Sequence, residues 1–257
     1  MKIKTLLLAS LLGFTLNLNA AEKIVVAATP VPHAEILNQV KEDLKKEGYT
    51  LVVKEFTDYV LPNLATDNGE VDANFFQHTP YLEEFNKSKG TKLVKVASVH
   101  IEPMAVYSKK YKSFDELKDG AKIAVPNDPT NESRALDIIA KAGLVSFNDK
   151  PLKTPLDIVD NPKKLQFVEL KAAQLPRALS DVDVAVINSN YALLANLSPV
   201  KDSIFIEDKD SPYANILVVK EGKEQDSKIK ALAKALQSEK IKKFIAEKYD
   251  GAVVPAF

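Results

Sequence analysis

Three histidines, His33, His78 and His100, are the only imidazoles in this 257-residue chain. With Glu102 they would supply the donors of a transition-metal site if folding brought them together. They lie far apart, and no H-x-x-x-H spacing joins them. His78 falls in an aromatic stretch, DANFFQHTPYL (72–82). Read as extended chain, Phe76 and His78 share one face and Phe75 and Gln77 the other, which assigns Phe75 to the core. The strand ends near His78 and Thr79-Pro80 begins a helix. His78 and Tyr81 are thereby placed at a carboxyl end of a sheet, where open α/β sheets bind ligands. This stretch alone fits an aromatic core corner as well as the wall of an apolar ligand pocket.

Polar residues in three other stretches add a second kind of chemistry. In VPNDPTNESRAL (125–136) a polar strand-to-helix turn precedes a good helix. Arg134, placed in its first turn, can grip a carboxylate with two parallel N–H groups, beside short donors from Asn131 and Ser133. Asn188 ends the apolar run DVAVINS, and a buried asparagine is costly without a partner. Asn215 interrupts SPYANILVV. Ordinary capping accounts for each stretch taken singly. Together, an aromatic wall and a set of polar anchors suit a zwitterion with an apolar side chain.

Other chemistries lack their residues. The chain has no cysteine, hence no thiol nucleophile and no thiolate metal site. It has no G-x-S-x-G elbow, P-loop or G-x-G-x-x-G turn. The expectation is a binding protein without catalytic residues, cofactor or resident metal. Without Lys2 and Lys4, 33 basic residues stand against 35 acidic ones, which gives no electrostatic reason to expect nucleic acid or an anionic membrane.

The elements that must position these residues read as follows. Residues 1–20 look like a secretory signal: a basic start, an apolar run too short to span a bilayer, and a small residue before the polar Ala21-Glu22-Lys23. The mature chain is then expected to be periplasmic and soluble, starting near Ala21, with a retained N-terminal anchor as the other possibility. Beyond it, strand-like runs such as KIVVAAT and TLVVKEF alternate with helix-like ones, the β-α-β-α pattern of a mostly parallel sheet. Two long extended segments, 92–110 and 204–222, flank a middle α/β unit. They imply an α/β chain of two lobes, 21–103 plus 212–257 and 104–211, with crossings near 101–104 and 208–213 acting as a hinge around an interlobe ligand cleft. A single amphipathic helix is expected from Ser227 to Tyr249.

The pieces DANFFQHTPYL, HIEPMAVYS, PNDPTNESRAL, VINSNYA and SPYANILVV occur in this order, and on them the chain resembles the NlpA/MetQ-type methionine-binding proteins of ABC importers. The resemblance covers essentially the whole mature chain. It implies a two-lobe periplasmic-binding-protein fold and a monomer that hands methionine, or a close relative such as a methionine-containing dipeptide, to an ABC permease. It further implies a side-chain pocket of Tyr59, Phe76, His78 and Tyr81. Arg134 with Asn131 would anchor the carboxylate, and Asn188 and Asn215 would hold the polar end. Most members carry a lipid-bearing cysteine at the signal cleavage site, and this chain departs from them there. Two alternatives stay open on the residues: a metal-ion carrier using His33, His78 and His100, and an extracytoplasmic amino-acid or peptide enzyme.

Overall fold

The computed structural model describes residues 21–208 and 211–257. The expected signal, 1–20, lies outside the described residues, as do positions 209 and 210 of the second crossing. Among the described residues no helix is long and apolar enough to cross a membrane.

The chain opens with four strands of one sheet: β1 (Glu22–Ala28), β2 (Tyr49–Glu55), β3 (Ala73–His78) and β4 (Leu93–Ile101). It crosses at residues 102–104 to a second sheet. There it forms β5 (Ala105–Tyr107), β6 (Lys122–Pro126), a small hairpin of β7 (Ser146–Phe147) and β8 (Ile158–Asp160), then β9 (Gln166–Leu170), β10 (Val184–Ile187) and β11 (Phe205–Ile206). It returns to the first sheet as β12 (Ala214–Lys220) and β13 (Val254–Pro255). The strand orders are β13-β4-β12-β3-β1-β2 and β11-β5-β10-β6-β9. This is a two-lobe α/β fold, with a parallel run in each sheet joined through helices.

Each sheet has its own core. Ile24, Val26 and Phe75 pack with Ile36, Leu232 and Ile245 on the first, and Ile123, Val125 and Val184 with Leu136 and Ile139 on the second. The runs IVVAA (24–28) and VAVI (184–187) are apolar throughout because helices cover both of their faces. The two crossings bind each other: Glu207 N–H donates to the Met104 carbonyl at 2.9 Å, and Met104 N–H donates to the Glu207 carboxylate at 3.1 Å.

Three local expectations need correction. The C-terminal helix is two helices, Ser227–Leu236 and Glu239–Tyr249, because Ser238 adopts extended backbone between them. Arg134 is not in a first turn; its helix, Pro129–Lys141, starts at Pro129 with Asp128 as N-cap, so Arg134 lies in the second turn. The simple alternation in β3 also fails. The register against β12 slips so that Gln77 faces Ile216 and Phe75 faces Leu217, leaving Phe76 as an unpaired bulge residue. Gln77 therefore joins the side of Asn74, hydrogen-bonding Asn63 and Asn74 at 2.6 and 2.8 Å, and not that of Phe75.

Candidate ligand-binding site

Register brings much of the site together. Asn215 on β12 lies opposite His78 on β3 and opposite His100 on β4, so three strands deliver three polar side chains in one row. From the second sheet, Asn188 follows β10, and Asn131 and Arg134 sit on the helix after β6. Each is at the carboxyl end of a strand in the parallel run, as expected of ligand sites in such sheets.

All eight sequence-predicted residues line one cavity between the sheets: Tyr59, Phe76, His78, Tyr81 and Asn215 from the first lobe, Asn131, Arg134 and Asn188 from the second. Glu102, Ser189, Asn190 and Gln77 complete the lining. The cavity measures about 20 Å³, room for roughly one water, so the side chains close on one another. The closure is hydrogen-bonded. The Tyr59 hydroxyl donates to Asn190 Oδ1 at 2.7 Å, and the Tyr191 hydroxyl to the Thr57 carbonyl at 3.0 Å. His78 meets Asn131 at 3.1 Å.

The orientation of these groups can be worked out. Tyr81 N–H donates to His78 Nδ1 at 3.1 Å, an N-cap bond for the helix Thr79–Lys89. The proton of His78 must then sit on Nε2, which donates to Asn131 Oδ1. Asn131 turns its amide nitrogen to the Asp128 carboxylate at 2.8 Å, and its Oδ1 also receives Asn188 Nδ2 at 2.8 Å. Among the described residues Asn188 Oδ1 is left buried without a donor. Burial, reinforced by the positive charge of Arg134, pushes His78 down to about 3, so the ring is neutral and polar at pH 7.

Arg134, only 4% exposed, is already gripped. Its Nε donates to Glu207 Oε1 at 3.1 Å, and its Nη2 donates to Glu207 Oε2 and to the Glu102 carbonyl at 2.9 Å. The Tyr213 ring stacks on the guanidinium with 4.1 Å from Cζ to centroid. The bidentate pair foreseen for a ligand carboxylate is thus made with Glu207; among the described residues Nη1 keeps no hydrogen-bond partner. Ser133 is not part of the lining; its hydroxyl accepts Lys153 N–H at 3.1 Å.

The histidines divide differently from the metal reading. His33, His100 and Glu102 converge, with one possible ligand atom from each within 4.8 Å of the others, while His78 is committed to Tyr81 and Asn131. The trio is also a hydrogen-bonded unit. His100 Nε2 lies 2.8 Å from Glu102 Oε1, and His33 Nε2 lies 3.3 Å from the same oxygen and 3.0 Å from Asn215 Oδ1. The Thr29 hydroxyl meets His33 Nδ1 at 2.7 Å. Burial holds His33 at about 4 and His100 at about 3, and it pushes the Glu102 carboxyl above its ordinary range.

Sequence reasoning named Glu102 only as a possible metal donor, and missed Glu207 as the partner of Arg134 and Ser189 and Asn190 as neighbours of Asn188. Glu102 stood beside Pro103 in a crossing with no periodicity to mark it as buried.

The sequence model of the family described as NlpA lipoprotein matches residues 24–257. The D-methionine-binding lipoprotein MetQ of Salmonella typhi is 48% identical over 222 residues, 84% of this chain and 82% of that protein. The methionine-binding lipoprotein MetQ of Bacillus subtilis is 46% identical over 241 residues, 91% of this chain and 88% of its own length. Among solved structures, a nutrient binding protein from Burkholderia cenocepacia bound to methionine superposes with a TM-score of 0.88 at 47% identity, covering 91% of this chain and all of that one.

Proposed function

This chain belongs to the NlpA lipoprotein family, and from that premise we propose that it captures methionine outside the cytoplasm and delivers it to an ABC permease. The observation that carries the reading is the single cavity in which four aromatic or imidazole side chains face a set of polar anchors across two lobes. Tyr59, Phe76, His78 and Tyr81 form the side-chain pocket, and their rings are mutually edge-on or tilted at 5.9–6.2 Å. Such rings favour a flexible, polarizable thioether through sulfur–aromatic contacts. Arg134 Nη1, Asn131, Asn188 and Asn215 take the polar end of the amino acid.

Because the closed site holds about 20 Å³, methionine enters only when the lobes, 21–103 plus 212–257 and 104–211, separate about the two crossings. Closure then remakes the hydrogen bonds across the cleft around the ligand, and function is binding and lobe closure without covalent chemistry. The protein works as a monomer. Its named relatives are lipoproteins, whereas this sequence contains no cysteine.

Calorimetric titration tests the reading. Methionine is expected to bind better than leucine or norleucine and far better than aspartate or lysine. Equal affinity for charged amino acids would remove the pocket assignment, and binding abolished by a chelator would favour a metal carrier. Asn215→Ala is expected to weaken methionine binding by ~1–3 kcal/mol, the usual penalty for leaving a buried polar group unpaired. Wild-type affinity in that variant would exclude Asn215 from the contact set.

A further inference from the structure

A second cavity lies beside the ligand cavity. Its walls are mostly apolar and come from both lobes, with Val60 from the first and Ala172, Ala173 and Tyr191 from the second. It measures about 350 Å³, against about 20 Å³ for the closed ligand cavity. Tyr59 and Tyr81 line both, so these two rings stand between one space and the other.

The two rings are held differently. Tyr81 is fixed within its own lobe: it is buried on the helix Thr79–Lys89, and its ring stacks on Phe85 at 6.1 Å. Tyr59 is half-buried and sits in the bend between β2 and the helix Leu61–Asp67. Its carbonyl accepts the Tyr81 hydroxyl at 2.8 Å, which ties its backbone to the first lobe. Its side chain is gripped from across the cleft. The hydroxyl donates to Asn190 Oδ1 at 2.7 Å, and the ring lies on that of Tyr191, with centroids 5.1 Å apart and planes 36° from parallel. Both contacts exist only while the lobes are closed. When the lobes separate, the ring is released to turn about its Cα–Cβ bond.

We propose that Tyr59 gauges the length of the ligand's side chain at the moment of closure. This rests on the methionine reading of the cleft and deepens it. With methionine bound, the ring swings past the end of the thioether chain, reaches Asn190 and Tyr191, and seals the ligand from the second cavity. A longer S-alkyl chain occupies the path of the ring, so the hydroxyl misses Asn190 and the closed state loses its latch. The upper limit on side-chain length is thus set by a contact with the opposite lobe, and not by the depth of the pocket in the first lobe alone. Without the ring the two cavities join, and the apolar space beyond accepts the extension.

Calorimetric titration with methionine and with S-propyl-L-homocysteine, which adds two methylenes beyond the sulfur, is the test. The wild-type protein is expected to bind the propyl ligand at least ~10-fold more weakly, the lower end for an apolar pocket one methylene too small. In Tyr59→Ala the ratio is expected to shift toward the propyl ligand by at least ~10-fold, since each methylene newly buried in the second cavity is worth about fourfold. A purely structural loss weakens both ligands together and leaves that ratio where it was. Should the alanine variant not fold, Tyr59→Leu, shorter than tyrosine and without the hydroxyl, is measured in its place with the same shift expected. Wild-type protein that binds the two ligands alike, or a folded variant that keeps the wild-type ratio, overturns the gauge and leaves the methionine reading intact. If the wild-type protein fails to bind methionine, both fall.

Discussion

Arg134→Ala is expected to weaken methionine binding by ~2–5 kcal/mol, a roughly 30- to 4,000-fold loss. The guanidinium is 4% exposed, and the Tyr213 ring and the Glu207 carboxylate hold it on its helix. A ligand carboxylate bound as proposed would meet a cation already ordered, which lowers the entropic cost of the contact. The same grip complicates the variant. Removing Arg134 leaves Glu207, whose side chain is 14% exposed, without its cation, and this is expected to lower folding stability by about 2 kcal/mol, between the limits for exposed and fully buried pairs. A double variant, Arg134→Met with Glu207→Gln, removes both charges and separates the effects. It is expected to recover most of the stability and none of the affinity. Calorimetry and urea unfolding on the three proteins provide the check, and wild-type affinity in folded Arg134→Ala would place the ligand elsewhere.

That pairing marks where sequence reading stops. The alternation of lobes was legible because β1 and β10 are short apolar runs bounded by polar turns, a local signal that any partner strand satisfies. The position of His78 and Tyr81 in the cavity lining was legible because Pro80 announces a helix start at a strand end. Glu207 was not, because its role depends on which two crossings meet: Met104 and Glu207 are more than a hundred positions apart and hydrogen-bonded to each other. The bulge at Phe76 was equally hidden, since it is set by the register of β12, a strand from the far end of the chain. The turn at Ser238 carried a faint signal, a serine before glutamate at a helix start, which the continuous amphipathic pattern masked. Local chemistry was readable; the pairing of distant segments was not.

The buried imidazoles give the chain a pH dependence of predictable sign. His33, His78 and His100 are 1%, 6% and 0% exposed, and burial leads the causes that hold them at about 4, 3 and 3. In the unfolded chain a histidine titrates near 6.5. Their stabilising contribution is therefore fully present above pH ~6.5 and is lost as the pH falls from there toward 4 and 3, because the unfolded state takes up protons that the folded state refuses. Between pH 7.5 and 5.0 each histidine should cost ~2 kcal/mol of folding stability. Glu102 works in the opposite direction: its carboxyl is raised, chiefly by burial, so acid relieves its desolvation. The net loss is expected to be ~4–6 kcal/mol, a large part of the stability of a typical domain. Urea unfolding at the two pH values measures it. His100→Gln, which retains a side-chain N–H donor for Glu102 but cannot titrate, should show a loss smaller by ~2 kcal/mol than the wild type over the same interval. Equal stability at pH 7.5 and 5.0, or an unchanged pH response in the glutamine variant, would mean that these rings are reached by protons in the folded state.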